Sequence, residues 1–70
     1  MPKLGKYRHY KGTEYEVLFI AKDSDSEEDV VVYQDIENPE KVWTRSVEIF
    51  TQEVEVDGKM MPRFTYLGSE

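Results

Sequence analysis

The chain contains no cysteine. That removes the disulfide-stapled secreted modules and the thiolate-based zinc ribbons at once. Long apolar runs are missing as well. The longest, Val17 to Ala21, spans five residues, whereas a membrane helix needs about 20. Met1-Pro2-Lys3-Leu4-Gly5 offers no apolar core for a secretory signal, and Pro2 stands where a myristoylated glycine would be required. A cytoplasmic protein without membrane contact is therefore expected. There is one histidine and no thiol, too little to assemble a nucleophile, a base and an oxyanion site, so no enzymatic activity and no cofactor are expected. Helical periodicity is absent too: no stretch of about twelve residues repeats apolar positions at i, i+3, i+4 and i+7.

What the sequence does hold is a series of short alternating runs split by turn residues. Lys6 to Tyr10 is the first, with Tyr7 and His9 on one face and Arg8 and Tyr10 on the other. Lys11-Gly12 closes it. Tyr15 to Lys22 follows, apolar on both faces in its middle, as a central bending strand would be; Tyr15, Val17, Phe19 and Ala21 are expected on one face, Leu18 and Ile20 on the other. Val30 to Tyr33 is β-branched and short, and Asn38-Pro39 marks the turn after it. Val42 to Arg45 is the fourth run, with Trp43 and Arg45 sharing a face. Ser46 to Phe50 breaks the alternation and reads as one helical turn capped by Ser46. Glu53 to Val56, Asp57-Gly58 and Lys59 to Leu67 form a hairpin signal, with Pro62 forcing an edge position or a break.

Seventy residues make one small domain, and a chain of that size buries only about 60% of its unfolded surface. The aromatics, spread from Tyr7 to Tyr66, are needed first as core. Some five short strands and a single helical turn predict an all-β fold, a small open SH3-like barrel, as one domain over residues 1–70.

The net charge of −6 is unevenly placed. Residues 1–22 carry five cations against two acids, and residues 23–40 carry eight acids and no base. An acidic chain is a poor partner for phosphate backbones, although the basic N-terminal third keeps RNA binding as an alternative. The run Asp23 to Asp29 imitates a calcium loop but fails its pattern: Glu28 replaces the obligatory glycine, and Gln34 the bidentate acid. No metal site is expected there, only a solvated acidic loop.

The chain resembles the bacterial domain-of-unknown-function family 1653. The resemblance is carried by Gly5-Lys6-Tyr7-Arg8-His9-Tyr10-Lys11-Gly12, Tyr15-Glu16-Val17-Leu18, Ala21, Ser24, Val31-Val32-Tyr33, Trp43, Arg45, Phe50, Val54-Glu55-Val56-Asp57-Gly58-Lys59 and Pro62-Arg63-Phe64, and it covers residues 5–67. It implies an SH3-like barrel and no particular mechanism. Two positions depart from the family pattern: Asp23 stands where histidine is frequent, and Ser46 where proline often follows the Trp-x-Arg segment.

Two clusters stand out as candidate contact surfaces. The first is Tyr7, Arg8 and His9, rich in the residue types that dominate binding hot spots. The second is Tyr33, Trp43 and Arg45, an aromatic-cationic set suited to a groove. Each has a plain alternative, namely that Tyr7, Tyr33 and the sole tryptophan are core. The expected role is a non-enzymatic interaction module for a protein or peptide, with RNA binding or a role for His9 in an enzyme or accessory domain as alternatives, and with homodimerisation open.

Overall fold

A computed structural model describes residues 1–69. It contains seven strands and one short helix: β1 (Gly5–His9), β2 (Glu14–Lys22), β3 (Asp29–Asp35), β4 (Val42–Ser46), α1 (Val47–Phe50), β5 (Glu53–Val56), β6 (Lys59–Pro62) and β7 (Phe64–Gly68). Five strands make one antiparallel sheet in the order β4-β3-β2-β1-β7, and β5 and β6 make a separate ribbon. The fold is all-β, as expected. The large sheet does not close on itself: β4 and β7 are its two edges.

The turn chemistry acts where the sequence places it. Asp57 and Gly58 both take positive φ, 52° and 80°, the backbone a two-residue hairpin needs to match strand twist. Pro62 ends β6 opposite Glu53, and the chain breaks at Arg63 before resuming as β7. That break turns the last expected run into two strands. Ser46 caps α1, its Oγ accepting the Ile49 amide at 3.1 Å.

One expectation is corrected. Leu18 is a bulge: Val17 pairs with Tyr33, but Phe19 pairs with Val32, the next residue back. The extra residue exchanges the faces of everything after it. Ile20 therefore packs on the core beside fully buried Val31, while Phe19 is 64% exposed on the outer face. Tyr15, Val17 and Phe19 do not share a side.

The core is Tyr7, Val17, Val31, Tyr33, Phe50 and Phe64, with Tyr15, Ile20 and Val47 packed against it. Phe50 enters from α1, stacked on Phe64 and edge-on to Tyr7 and Tyr33. Rings from β1, β3, α1 and β7 thus converge on one aromatic knot, which lets a small domain bury large side chains.

Candidate functional site

Directly opposed residues of an antiparallel pair project to the same face of the sheet. The ladder therefore lines up Val17, Tyr33 and Trp43 across β2, β3 and β4, and Val31 beside Arg45. On the other flank, Tyr7 faces Tyr15 and Tyr66, and His9 faces Phe64. All of these lie on the core side. The helix α1 lies against β3 and β4, but Val42, Trp43 and Thr44 of β4 stay exposed, and His9 at the end of β1 is only partly buried. This leaves an uncovered margin.

At that uncovered margin the side chains form a connected set. The Arg45 Nε donates to the Tyr33 hydroxyl at 3.2 Å. The Tyr33 ring meets Tyr15 and Phe64 edge-on, with centroids 5.2 and 5.6 Å apart. His9 lies 4.9 Å from Phe64, 6.4 Å from Tyr15 and 4.5 Å from Tyr10. Arg63 sits one residue before Phe64. Its carbonyl accepts the Tyr10 amide, and its own amide donates to the Gln52 carbonyl, tying the β5–β6 ribbon to the end of β1.

The backbone fixes His9 firmly. Its amide donates to the Thr13 carbonyl, and its carbonyl accepts from Gly12. The Lys11 amide donates to Nδ1 at 3.2 Å, which leaves the neutral ring its proton on Nε2. Partial burial holds the imidazole below its ordinary pKa, and the positive charges of Arg45, Arg63 and Lys11 push it the same way. No carboxylate among the described residues pairs with Arg45 or Arg63. The ion pairs found there are Arg8 with Glu14 and Lys22 with Asp29, both at exposed side chains. The set can receive negative charge and stack against planar groups.

The six residues singled out in the sequence do not all come together. His9, Tyr33 and Arg45 converge on this margin. Tyr7 and Tyr33 are themselves buried, 6% and 4% exposed, so they support the surface from below and do not present a ring to a partner; the Tyr7 hydroxyl is taken up by the Lys3 carbonyl at 2.7 Å. Trp43 is 49% exposed and is not part of the core. It flanks Tyr33 on the sheet edge. Arg8 is not in the cluster: it alternates to the opposite face and is bound to Glu14 at 3.0 Å. Tyr15, Phe64 and Arg63 belong to the set without having been singled out. Arg63 carried one usable signal, an arginine placed directly after the proline that ends a ladder.

A surface concavity of about 570 Å³ lies between the Lys11–Glu14 turn and Asp35–Glu37. No aromatic ring lines it, and its acids offset its lysine, so the cationic-aromatic margin is the better candidate. No helix of the described residues is long and apolar enough to cross a membrane.

The model of a family described as protein of unknown function, DUF1653, matches residues 5–66. The chain belongs to the DUF1653 family. A crystal structure of a DUF1653 protein from Bordetella bronchiseptica is 34% identical, superposes with a TM-score of 0.88, and is matched over 99% of this chain and 91% of that one. No curated protein matches the chain.

Both departures from the family pattern have local roles in this DUF1653 member. Ser46 supplies the cap of α1. Asp23 closes the β2–β3 loop, its Oδ1 accepting the amides of Asp25 and Ser26 at 2.8 and 3.0 Å. Those bonds lower the pKa of its carboxyl group. The acidic loop thus turns its first carboxylate onto its own backbone, which is what a solvated turn does.

Proposed function

We propose that this DUF1653 domain is a non-catalytic interaction module of SH3-like type that docks an extended peptide along β4. One observation carries the reading: the sole tryptophan, on an edge strand, stands half exposed beside Tyr33 and Arg45. An edge strand offers unpaired amides and carbonyls to a visiting strand, while a large aromatic and an arginine supply the side-chain anchors. Natural sheets usually blunt such an edge. Here the edge carries exposed Val42, Trp43 and Thr44 instead.

A peptide suits this face better than RNA. Nucleic acid asks for a stripe of cations along the backbone path. The cations here are gathered in one spot, on a chain whose net charge is −6. A peptide with an acidic residue beside its apolar anchor complements both Trp43 and Arg45. Catalysis has weaker support, because the recorded polar partner of the His9 ring is a backbone amide and not a carboxylate or a hydroxyl.

The test is to pan a random peptide library against the purified domain and against Trp43→Ala in parallel. Tryptophan fluorescence is followed over a range of protein concentrations. Peptides that bind the parent and lose the variant, with emission that stays at long wavelength on concentration, support the proposal. Binders indifferent to Trp43, or no binders, overturn it. So does a concentration-dependent blue shift, which would mean that a second copy of the chain covers β4.

A further inference from the structure

Charge is distributed unexpectedly around His9. The chain has fifteen acids and nine lysines and arginines, so a cation in want of a partner has many to choose from. Arg8 and Lys22 find theirs at 3.0 and 3.1 Å in largely solvated pairs, which contribute little. Arg45 and Arg63, each partly buried, are held by neutral groups instead. Arg45 is fastened to the Tyr33 hydroxyl, and Arg63 Nη2 to the Gln52 side-chain carbonyl at 3.3 Å. The Arg63 Nε is buried and finds no hydrogen-bond partner among the described residues.

Gathering like charges without a counter-charge costs free energy, and a buried unsatisfied donor costs more. Arg45 is linked to the His9 ring through Tyr33 and Phe64, whose centroids are 5.6 Å apart, with Phe64 4.9 Å from His9. Arg63 adjoins Phe64 in the chain, and its carbonyl holds the amide of Tyr10, next to His9. The neutral imidazole offers one further N–H. The Tyr33 hydroxyl holds Arg45, and the Phe64 ring packs edge-on to His9. Donors without a counter-charge, gathered at a partly exposed margin, are what an anion receptor requires.

We propose that Arg45, Arg63 and His9 form a receptor for one compact oxyanion, a carboxylate or phosphate group borne by the docked peptide. The partner named here rests on the docking reading above; the anion site itself can be tested alone. The arginines supply planar donors, His9 the Nε2 proton, and the oxyanion the charge that the cluster lacks.

The experiment is an NMR titration of the intact domain at constant ionic strength, exchanging chloride for N-acetylglycine in one arm and for inorganic phosphate in another. The first probe imitates a peptide carboxylate, the second a phosphate group. Saturable shifts are expected at the His9 ring and at the Arg45 and Arg63 side chains, with Arg8 and Lys22 unmoved, and with the His9 pKa rising toward its ordinary value as the anion binds. Saturation in one arm alone identifies the group. Arg45→Gln and Arg63→Gln should each weaken binding about tenfold or more, the loss of one charge-assisted hydrogen bond. Arg45→Lys, which keeps the charge, should retain part of it and guards against a folding artefact.

Shifts that rise linearly in both arms, shifts shared equally with Arg8 and Lys22, or affinity unchanged in both glutamine variants would overturn the receptor. Trp43-dependent peptide binders that carry no acidic or phosphorylated residue would remove this inference and leave the docking module standing. Saturable anion binding without peptide binders would do the reverse. Displacement of phosphate by single-stranded RNA, steeply dependent on salt, would replace the peptide as the partner.

Discussion

Phe50 of α1 lies flat on Phe64 of β7, with ring centroids 4.1 Å apart and planes 8° from parallel. The two residues are fourteen positions apart in sequence, on either side of the β5–β6 ribbon, and are 2% and 7% exposed. The stack joins a four-residue helix, too short to persist alone, to the edge of the sheet. Phe50→Ala should cost about 3–5 kcal/mol, since it removes transfer energy and leaves a cavity. In a domain this small that loss approaches the whole of its stability. Urea unfolding followed by circular dichroism checks it; a loss under about 1 kcal/mol would mean that α1 does not close the core.

Trp43→Ala should be far milder. The ring is half in water on an edge strand, so the variant should stay folded and lose about 1 kcal/mol or less of stability. Thermal unfolding measures this directly. A variant that fails to fold would make Trp43 a core residue and take away the best support for a docking face.

The bulge at Leu18 supplies a comparison between adjacent residues. Phe19→Ser should change stability by about 0.5 kcal/mol at most, despite the loss of a large apolar ring, because that ring already faces water. Ile20→Ser should cost more, because Ile20 packs on Val31 and its neighbours. Equal costs, or the reverse order, would restore the uninterrupted alternation that the sequence by itself predicts.

That bulge shows where legibility ended. Val17 to Ala21 is apolar at every position, so either register satisfies a hydrophobic pattern, and nothing local marks the extra residue. The strands bounded by turn chemistry were readable for the opposite reason: Asp57-Gly58, Pro62 and Ser46 each permit few backbones, and each acts where it stands. The same contrast governs the site. His9, Tyr33 and Arg45 attract notice as residue types. Arg63 matters through a long-range event, the return of β7 beside β1, which no local pattern announces. Trp43 was ambiguous because composition makes a lone tryptophan a natural core residue, and its strand's position at the edge decides otherwise.

Gly5 gives a test of the sheet margin. It is buried in β1 with φ of +130°, and a Cβ added there would meet the Gly68 carbonyl oxygen at 2.6 Å. That neighbour is backbone of β7 and has no rotamer through which to yield. Gly5→Ala should therefore destabilise by roughly 1–3 kcal/mol, from strain at positive φ together with displacement of the strand end. Amide hydrogen exchange in β7 should rise faster than in β3. A stable variant with unchanged β7 protection would place the two strand ends further apart than the structure does.

His9 should make stability depend on pH in a definite direction. Burial, then Arg45 on β4, Arg63 before β7 and Lys11 in the β1–β2 turn, lower its pKa below the ordinary 6.5; the aromatic neighbours of the ring are Tyr10, Tyr15 and Phe64. Above pH 6.5 the imidazole is neutral in both states and contributes no slope. As the pH falls through 6.5 the unfolded chain takes up the proton first, so stability is lost until the lower native pKa is passed. Carboxylates titrate further down and add their own trend, so the measurement is a difference: urea unfolding of the parent and of His9→Gln across this window. The parent should lose more stability than the variant as pH drops. Equal slopes would show that neither burial nor the cations lower the His9 pKa in the native state. Saturating phosphate should shrink the difference, because an anion held among Arg45, Arg63 and His9 favours the protonated imidazole in the native state as well.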